Sequence, residues 1–495
     1  MTNPLQNLSG LPQFSNIKPE HIQPAIDAAI EACKSKITEL LAQDNYSWDN
    51  LVAPLEENDD QLSRKWSPVS HMNSVVSNDV LREAHDACLP ALSEYGTWVG
   101  QNADLFDAYC QIEASDEFVD LSEAKQKVIT HAIRDFKLSG VALDETKKAR
   151  YAEIQSRLSD LGSTFSNNVM DATLGWQKHI TDESQLAGLP ESALGAAKQL
   201  ADSKNLKGWL FTLDIPSYLP IMTHADNAEL REQMYRAYTS RASDQGPNAG
   251  KWDNTEIINE TLGLRQELAQ LLGFKHFADY SLASKMANSS EQVNGFLQDL
   301  AKRSKPQAQQ DIQTLTAYAK EHYQTDKLQA WDFAYYSEKL KEQTYKISDE
   351  QLRPYFPEST VVKGLFEVIS RLYKLTITAR DNIDTWHKDV RFYDIHDQTG
   401  ELRGSFYFDL YAREKKRGGA WMDECQVRRQ KVDGSQQYPV AYLTCNFNGP
   451  VGNKPALFTH DEVVTLFHEF GHGIHHMLTK INVGGVSGIN GVPWD

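Results

Sequence analysis

His468, Glu469, Phe470, Gly471 and His472 form one run in the 495-residue sequence, with the two histidines four residues apart. On a helix that separation is about one turn, so both imidazoles leave the same face and can meet a single ion as neutral nitrogen ligands. Glu469 lies about 100° around such a helix from His468. It is too displaced to complete the ligand set and near enough to take a proton from a water at the ion. The pattern therefore supports metal-assisted hydrolysis, with His468 and His472 as metal ligands and Glu469 as general base. The structural alternative, two histidines satisfied on a buried helix face, leaves an unpaired carboxylate on a largely apolar helix, which is costly. His475 shares the face of His468 but lies two turns on, about 10 Å of rise away, and is read as a supporting or core residue.

These groups need a helix that starts and points correctly. Thr459-His460-Asp461-Glu462 has the form of a capping box, in which the Thr459 hydroxyl accepts from the Glu462 amide and the Glu462 side chain reaches back. Val463, Phe467, Phe470, Ile474 and Met477 recur at helical spacing and predict the buried seam, with the helix ending near Lys480. Gly484, Gly485, Gly488 and Gly491 follow and read as a flexible linker in preference to a substrate-gating loop.

Upstream, residues 388–447 read as a small sheet. Val390 to Tyr393 leads through a turn at 396–400 to the aromatic run Phe406 to Tyr411, and Tyr438 to Phe447 gives another strand. The basic cluster Arg413, Lys415, Lys416 and Arg417 beside the aromatic strand reads as a solvated loop, with attraction of a peptide carboxylate as the lesser alternative. Before residue 380 the signal is helical. Ile154, Leu158, Leu161, Phe165 and Val169 make one stripe, read as core, and a helix from Thr255 stops at Gly273. Phe211 to Met222 carries Pro216 and Pro220 and reads as a strand or extended connector.

Composition narrows the partners. The formal charge is −18, from 68 acidic and 50 basic residues, which disfavours nucleic acid and anionic membrane surfaces. The N-terminal residues have neither a basic nor an apolar leader segment, and no stretch approaches a membrane span, so a cytoplasmic location is expected. Five scattered cysteines without a C-x-x-C pair point to reduced thiols.

The run around His468 to His472 resembles the signature of the thimet oligopeptidase family of zinc metallopeptidases. So do the segments Arg241-Ala242-Ser243-Asp244, Trp252-Asp253-Asn254-Thr255, Leu271-Leu272-Gly273-Phe274 and Gly404 to Tyr411. The resemblance spans most of the chain and is weakest in the first hundred residues or so. It implies a mainly α, two-lobed helical oligopeptidase with a deep central channel and a small β-sheet next to the zinc helix. The expected division is an N-terminal helical region, 1–190, and a catalytic region, 191–495. The implied activity is cleavage of internal bonds in short peptides, fragments of spent signal peptides included, by a monomer holding one zinc ion in the complete enzyme.

In that family a third ligand, a glutamate, comes from an Asp-x-x-Glu motif about thirty residues past the first histidine. Trp494-Asp495 resembles its opening. The glutamate, and the tyrosine and histidine that stabilise the tetrahedral intermediate, are expected beyond residue 495. Residues 1–495 alone are therefore expected to be inactive, and a non-catalytic helical scaffold is the alternative reading. An aminopeptidase is disfavoured, because no motif for a free amine precedes the helix.

Overall fold

The computed structural model describes residues 3–493, so Trp494 and Asp495 lie outside it. The chain is mainly helical, about 60%, with small sheets. Its first core forms where α1 (Pro19–Leu41) and α2 (Ala53–Val75) pack together, burying Ile22, Ile26, Leu51 and Val69. The long α3 (Glu145–Leu174) runs past this core. Its apolar stripe is divided: Ile154 and Leu161 are buried, whereas Phe165 is 39% exposed and, with Val169, lines a cavity. The stripe was thus only half core.

Strands β1 (Gln177–Ile180) and β2 (Trp209–Thr212) pair antiparallel, and the chain then turns into α4 (Ile215–His224). The prolines of this stretch sit in a helix, contrary to the extended reading. Pro216 falls in the first turn, where no backbone N–H is needed, and only Pro220 removes an internal bond. The Thr255–Leu271 helix stops before Gly273, whose φ of +82° is a conformation that favours glycine.

After α5 (Glu358–Tyr373) comes the sheet, from β3 (Thr376–Ala379), β4 (Arg391–His396), β5 (Leu402–Tyr411), β6 (Trp421–Gln426) and β9 (Val440–Phe447). The short β7 (Arg429–Gln430) and β8 (Gln436–Gln437) pair separately. The sheet order is β3-β4-β5-β9-β6, with β5 and β9 parallel and the other pairs antiparallel. A parallel pair of this kind is covered on both faces, which explains the near-continuous burial of β5 and β9. Phe406, Phe408 and Leu443 face one core, and Tyr407 and Tyr442 face another built around Phe14.

The final α6 (His460–Leu478) lies on the first of these faces. Phe470 meets Phe406 edge-on at 5.4 Å between ring centroids. Beyond it, the glycine-rich stretch is a packed corner. Val483 joins the N-terminal core, Glu56 accepts the Gly485 amide at 2.9 Å, and Gly488 sits against His476 with φ +61°. All five cysteines are free. Among the described residues no helix is long and apolar enough to cross a membrane.

Candidate functional site

The start of α6 is fixed as its sequence requires. Thr459 Oγ1 accepts from the Glu462 amide at 3.1 Å, and Glu462 Oε2 accepts from the Thr459 amide at 2.8 Å. The other carboxylate oxygen of Glu462 accepts from the backbone and side chain of Asn448, at 2.8 and 2.7 Å, tying the helix to the end of β9.

The buried seam is rotated from the one the apolar spacing suggested. Leu466, Phe470, Gly473, Ile474 and Met477 are inside, while Phe467 is 38% exposed. This rotation sets what the polar residues do. His468 and His472 face outward with their Nε2 atoms 3.2 Å apart and their rings nearly perpendicular, at 83°. Two nitrogens each about 2.0–2.1 Å from one tetrahedral ion stand about 3.3 Å apart, so the spacing suits a shared metal. The same distance also permits one imidazole to donate to the other, as the tautomers allow. Among the described residues no third histidine, cysteine or carboxylate joins the pair in a group able to hold a metal. The residues present therefore fit two positions of a zinc site and leave the rest open.

Glu469 is only 8% exposed. Burial raises its pKa, and the neighbouring His468 and His472 partly oppose that rise. His475 is exposed, so it is not the core residue its position suggested. The core histidine is His476, whose Nε2 lies 3.1 Å from the Gln426 carbonyl and whose Nδ1 lies 3.7 Å from Glu424. Burial pulls His476 down to about 4 and pushes Glu424 up to about 7.

The basic cluster is also divided. Lys416 is buried and Arg413 half-buried against Asp409, so neither is part of a solvated loop, while Lys415 and Arg417 are exposed. The nearness of Asp409 in sequence was the available signal. Strand addition along β5 or β9 is excluded, because both have neighbours on each side; the free edge beside β9 belongs to β6.

A 290 Å³ cavity lies beside the first turns of α6, lined by Asp461 and Thr465 together with Leu219 and Pro220 of α4. It shares Ile215, Pro216, Gly419 and Asn446 with a 390 Å³ cavity reaching to α3, and that one shares Phe165 and Ser166 with a third of 950 Å³. The first two make a groove between helices and the loops at the end of the sheet, long enough for an extended ligand, and the third, lined by helical residues alone, adjoins it.

Fold, groove and helix together define a class, the metallopeptidases of mainly helical architecture, and the comparisons with known proteins agree. The family model for Peptidase family M3 matches residues 221–495, and that for the Neurolysin/Thimet oligopeptidase N-terminal domain matches residues 26–148. The chain belongs to Peptidase family M3. It is 59% identical to oligopeptidase A of Haemophilus influenzae and 59% identical to oligopeptidase A of Escherichia coli, in each case over 100% of this chain and 73% of the relative. A solved structure of PZ peptidase A with an inhibitor shares the fold at a TM-score of 0.52 and 14% identity, covering 93% of this chain and 64% of that one.

Proposed function

We propose that this protein is a zinc-dependent endopeptidase that hydrolyses internal bonds of short peptides, including signal-peptide fragments, in the cytoplasm and as a monomer. The observation carrying this reading is the 3.2 Å convergence of His468 and His472 Nε2 beside the shielded Glu469. In this reading residues 1–190 form the helical region and 191–495 the catalytic region.

His468 and His472 would hold the ion through Nε2, both imidazoles neutral. When bound, zinc supplies Lewis-acid polarisation of the scissile carbonyl and acidifies water. Glu469 takes the proton of the attacking water on a carboxylate oxygen and returns it to the leaving amine. Its burial favours this role, since a carboxylate shifted upward is a better base near neutral pH. The groove holds the peptide extended beside α6, and the outer edge of β6 before Glu424, whose carbonyl Ser67 already occupies, is the place for strand addition.

A second reading, a non-catalytic helical scaffold, is favoured by one observation: the described residues bring only two donors together. On the same ground this chain by itself is expected to bind metal weakly and to turn over little or no peptide, because a catalytic zinc normally has three protein ligands. Zinc titration followed by elemental analysis separates the two readings. The peptidase reading expects one site per chain, with affinity at least about tenfold lower in His472→Ala. Uptake that is equal in the parent and in His472→Ala would overturn it.

A further inference from the structure

The 390 Å³ cavity is lined by two arginines from different parts of the chain, Arg241 and Arg417. Arg241 follows the Ala228–Thr239 helix and is held rigidly. Its Nε donates to the Tyr238 carbonyl at 2.9 Å, one terminal nitrogen donates to Thr173 Oγ1 at 2.7 Å, and the guanidinium stacks 3.8 Å from the Tyr238 ring centroid. Thr173 in turn donates to the Val169 carbonyl, so its lone pair is oriented toward Arg241. These two bonds use two of the five guanidinium N–H groups. Arg417 is exposed in the loop between β5 and β6.

Neither guanidinium forms an ion pair with any carboxylate among the described residues. The chain has 68 acidic residues, and Arg231, Arg353 and Arg429 in its interior are each paired, whereas the buried Arg428 bonds, among the described residues, only to Asn482. Asp214, on the same wall, accepts from the Thr212 hydroxyl at 3.1 Å and feels the charge of Arg241 without bonding to it. The cavity shares Ile215, Pro216, Gly419 and Asn446 with the one beside Asp461 and Thr465, and Thr465 lies about one helical turn before His468. A peptide lying along α4 from the candidate site therefore leads toward the two arginines.

Guanidinium groups recognise carboxylates through paired, charge-assisted hydrogen bonds. We propose that Arg241 and Arg417 form a carboxylate subsite of the groove, receiving the C-terminal carboxylate or an acidic side chain of a bound peptide. This rests on the reading of the groove as a peptide site.

The test is fluorescence anisotropy with the full chain, kept metal-free so that the probe survives. The probes are an N-terminally labelled apolar hexapeptide as its free acid, the same peptide as its amide, and the amide with one glutamate near its C-terminus. The free acid is expected to bind about tenfold more tightly than the plain amide, a difference within the range of one charge-assisted contact. Arg417→Gln, at an exposed position, should erase the difference without changing the amide's affinity or the unfolding midpoint. Recovery of affinity by the glutamate-bearing amide would assign the subsite to side chains as well as termini; no recovery would assign it to termini alone. Equal binding of acid and plain amide, or a preference that survives Arg417→Gln, would overturn the subsite while leaving the peptide groove. Failure of every probe to bind would overturn both.

Discussion

Lys416 Nζ lies 2.8 Å from Asp409 Oδ1 with both side chains sealed from solvent, at 0% and 1% exposure. The ammonium also reaches the carbonyls of Tyr411 and Cys445, at 2.9 and 2.6 Å, where the β5–β9 register shifts between Asp409 and Tyr411. It thus bonds across an irregular stretch of the parallel pair. Arg413 and the Trp386 indole complete the shell of Asp409.

Removing that carboxylate strands the buried Lys416 and the half-buried Arg413. Asp409→Asn keeps the shape and is expected to cost about 3–5 kcal/mol of unfolding free energy, measured by urea denaturation. Burial raises the Asp409 pKa, but Arg413 and Lys416 more than offset this and hold it at about 2, below the ordinary 3.8. Stability from this group is therefore present above about pH 4 and lost as pH falls toward about 2. The acid limb of the stability curve should flatten in Asp409→Asn.

Glu424 carries the opposite sign. Burial raises its pKa from 4.5 to about 7, against the opposing effect of Asn490, which donates to it at 3.0 Å, so the folded protein keeps its proton longer than the unfolded chain. Its contribution is full below about pH 4.5 and declines as pH rises through about 7. His476, lowered to about 4, works the other way between about 4 and 6.5 and masks much of this in the parent. Glu424→Gln should unmask the histidine, with a melting temperature that climbs from pH 4 to 6.5, and should gain on the parent by about 2–3 kcal/mol above pH 7. Parallel melting curves for the two proteins across this range would refute it.

Two glycines let α6 lie close on the sheet, and they should respond differently to substitution. A Cβ on Gly404 would meet the Pro439 carbonyl at 3.1 Å and Met477 Cβ at 3.0 Å. That carbonyl already accepts the Ser405 amide, so it has little room to yield. Gly404→Ala is expected to cost about 1–3 kcal/mol. On Gly473 the closest atoms are the side-chain ends of Leu443 and Met477, which can rotate. The helix preference for alanine, about 1 kcal/mol, offsets that crowding and leaves Gly473→Ala near neutral. Chemical denaturation of both variants decides it.

What the sequence made legible was local. The capping box, the i, i+4 histidines and the aromatic strands each depend on neighbours a few residues away, and the structure reproduces the box at Thr459 and Glu462. What it hid depends on which surface comes opposite. Phe467 and Leu466 both suit an apolar face, and only the position of the sheet decides that Leu466 is buried. The same holds for His476 over His475, for the divided stripe of α3, and for Lys416, which bonds carbonyls of both β5 and β9. Pro216 misled for another reason, since proline is tolerated in a first turn, and Pro220 sits in the helix interior at the loss of one backbone bond.

The roles assigned to the three residues of the α6 signature can be separated by metal affinity. A ligand and a general base differ in what their loss removes. His468→Ala and His472→Ala each delete a donor and should reduce zinc affinity at least about tenfold. Glu469→Gln keeps the size and an acceptor oxygen but cannot take a proton, so zinc affinity should stay within about twofold of the parent, since only the helix face carrying Nε2 binds the ion. In any form of the protein that turns over peptide, Glu469→Gln should lower kcat by about 10²–10⁴ with KM little changed. Zinc binding that falls as far in Glu469→Gln as in the histidine variants would make Glu469 a ligand and remove the general base from the mechanism.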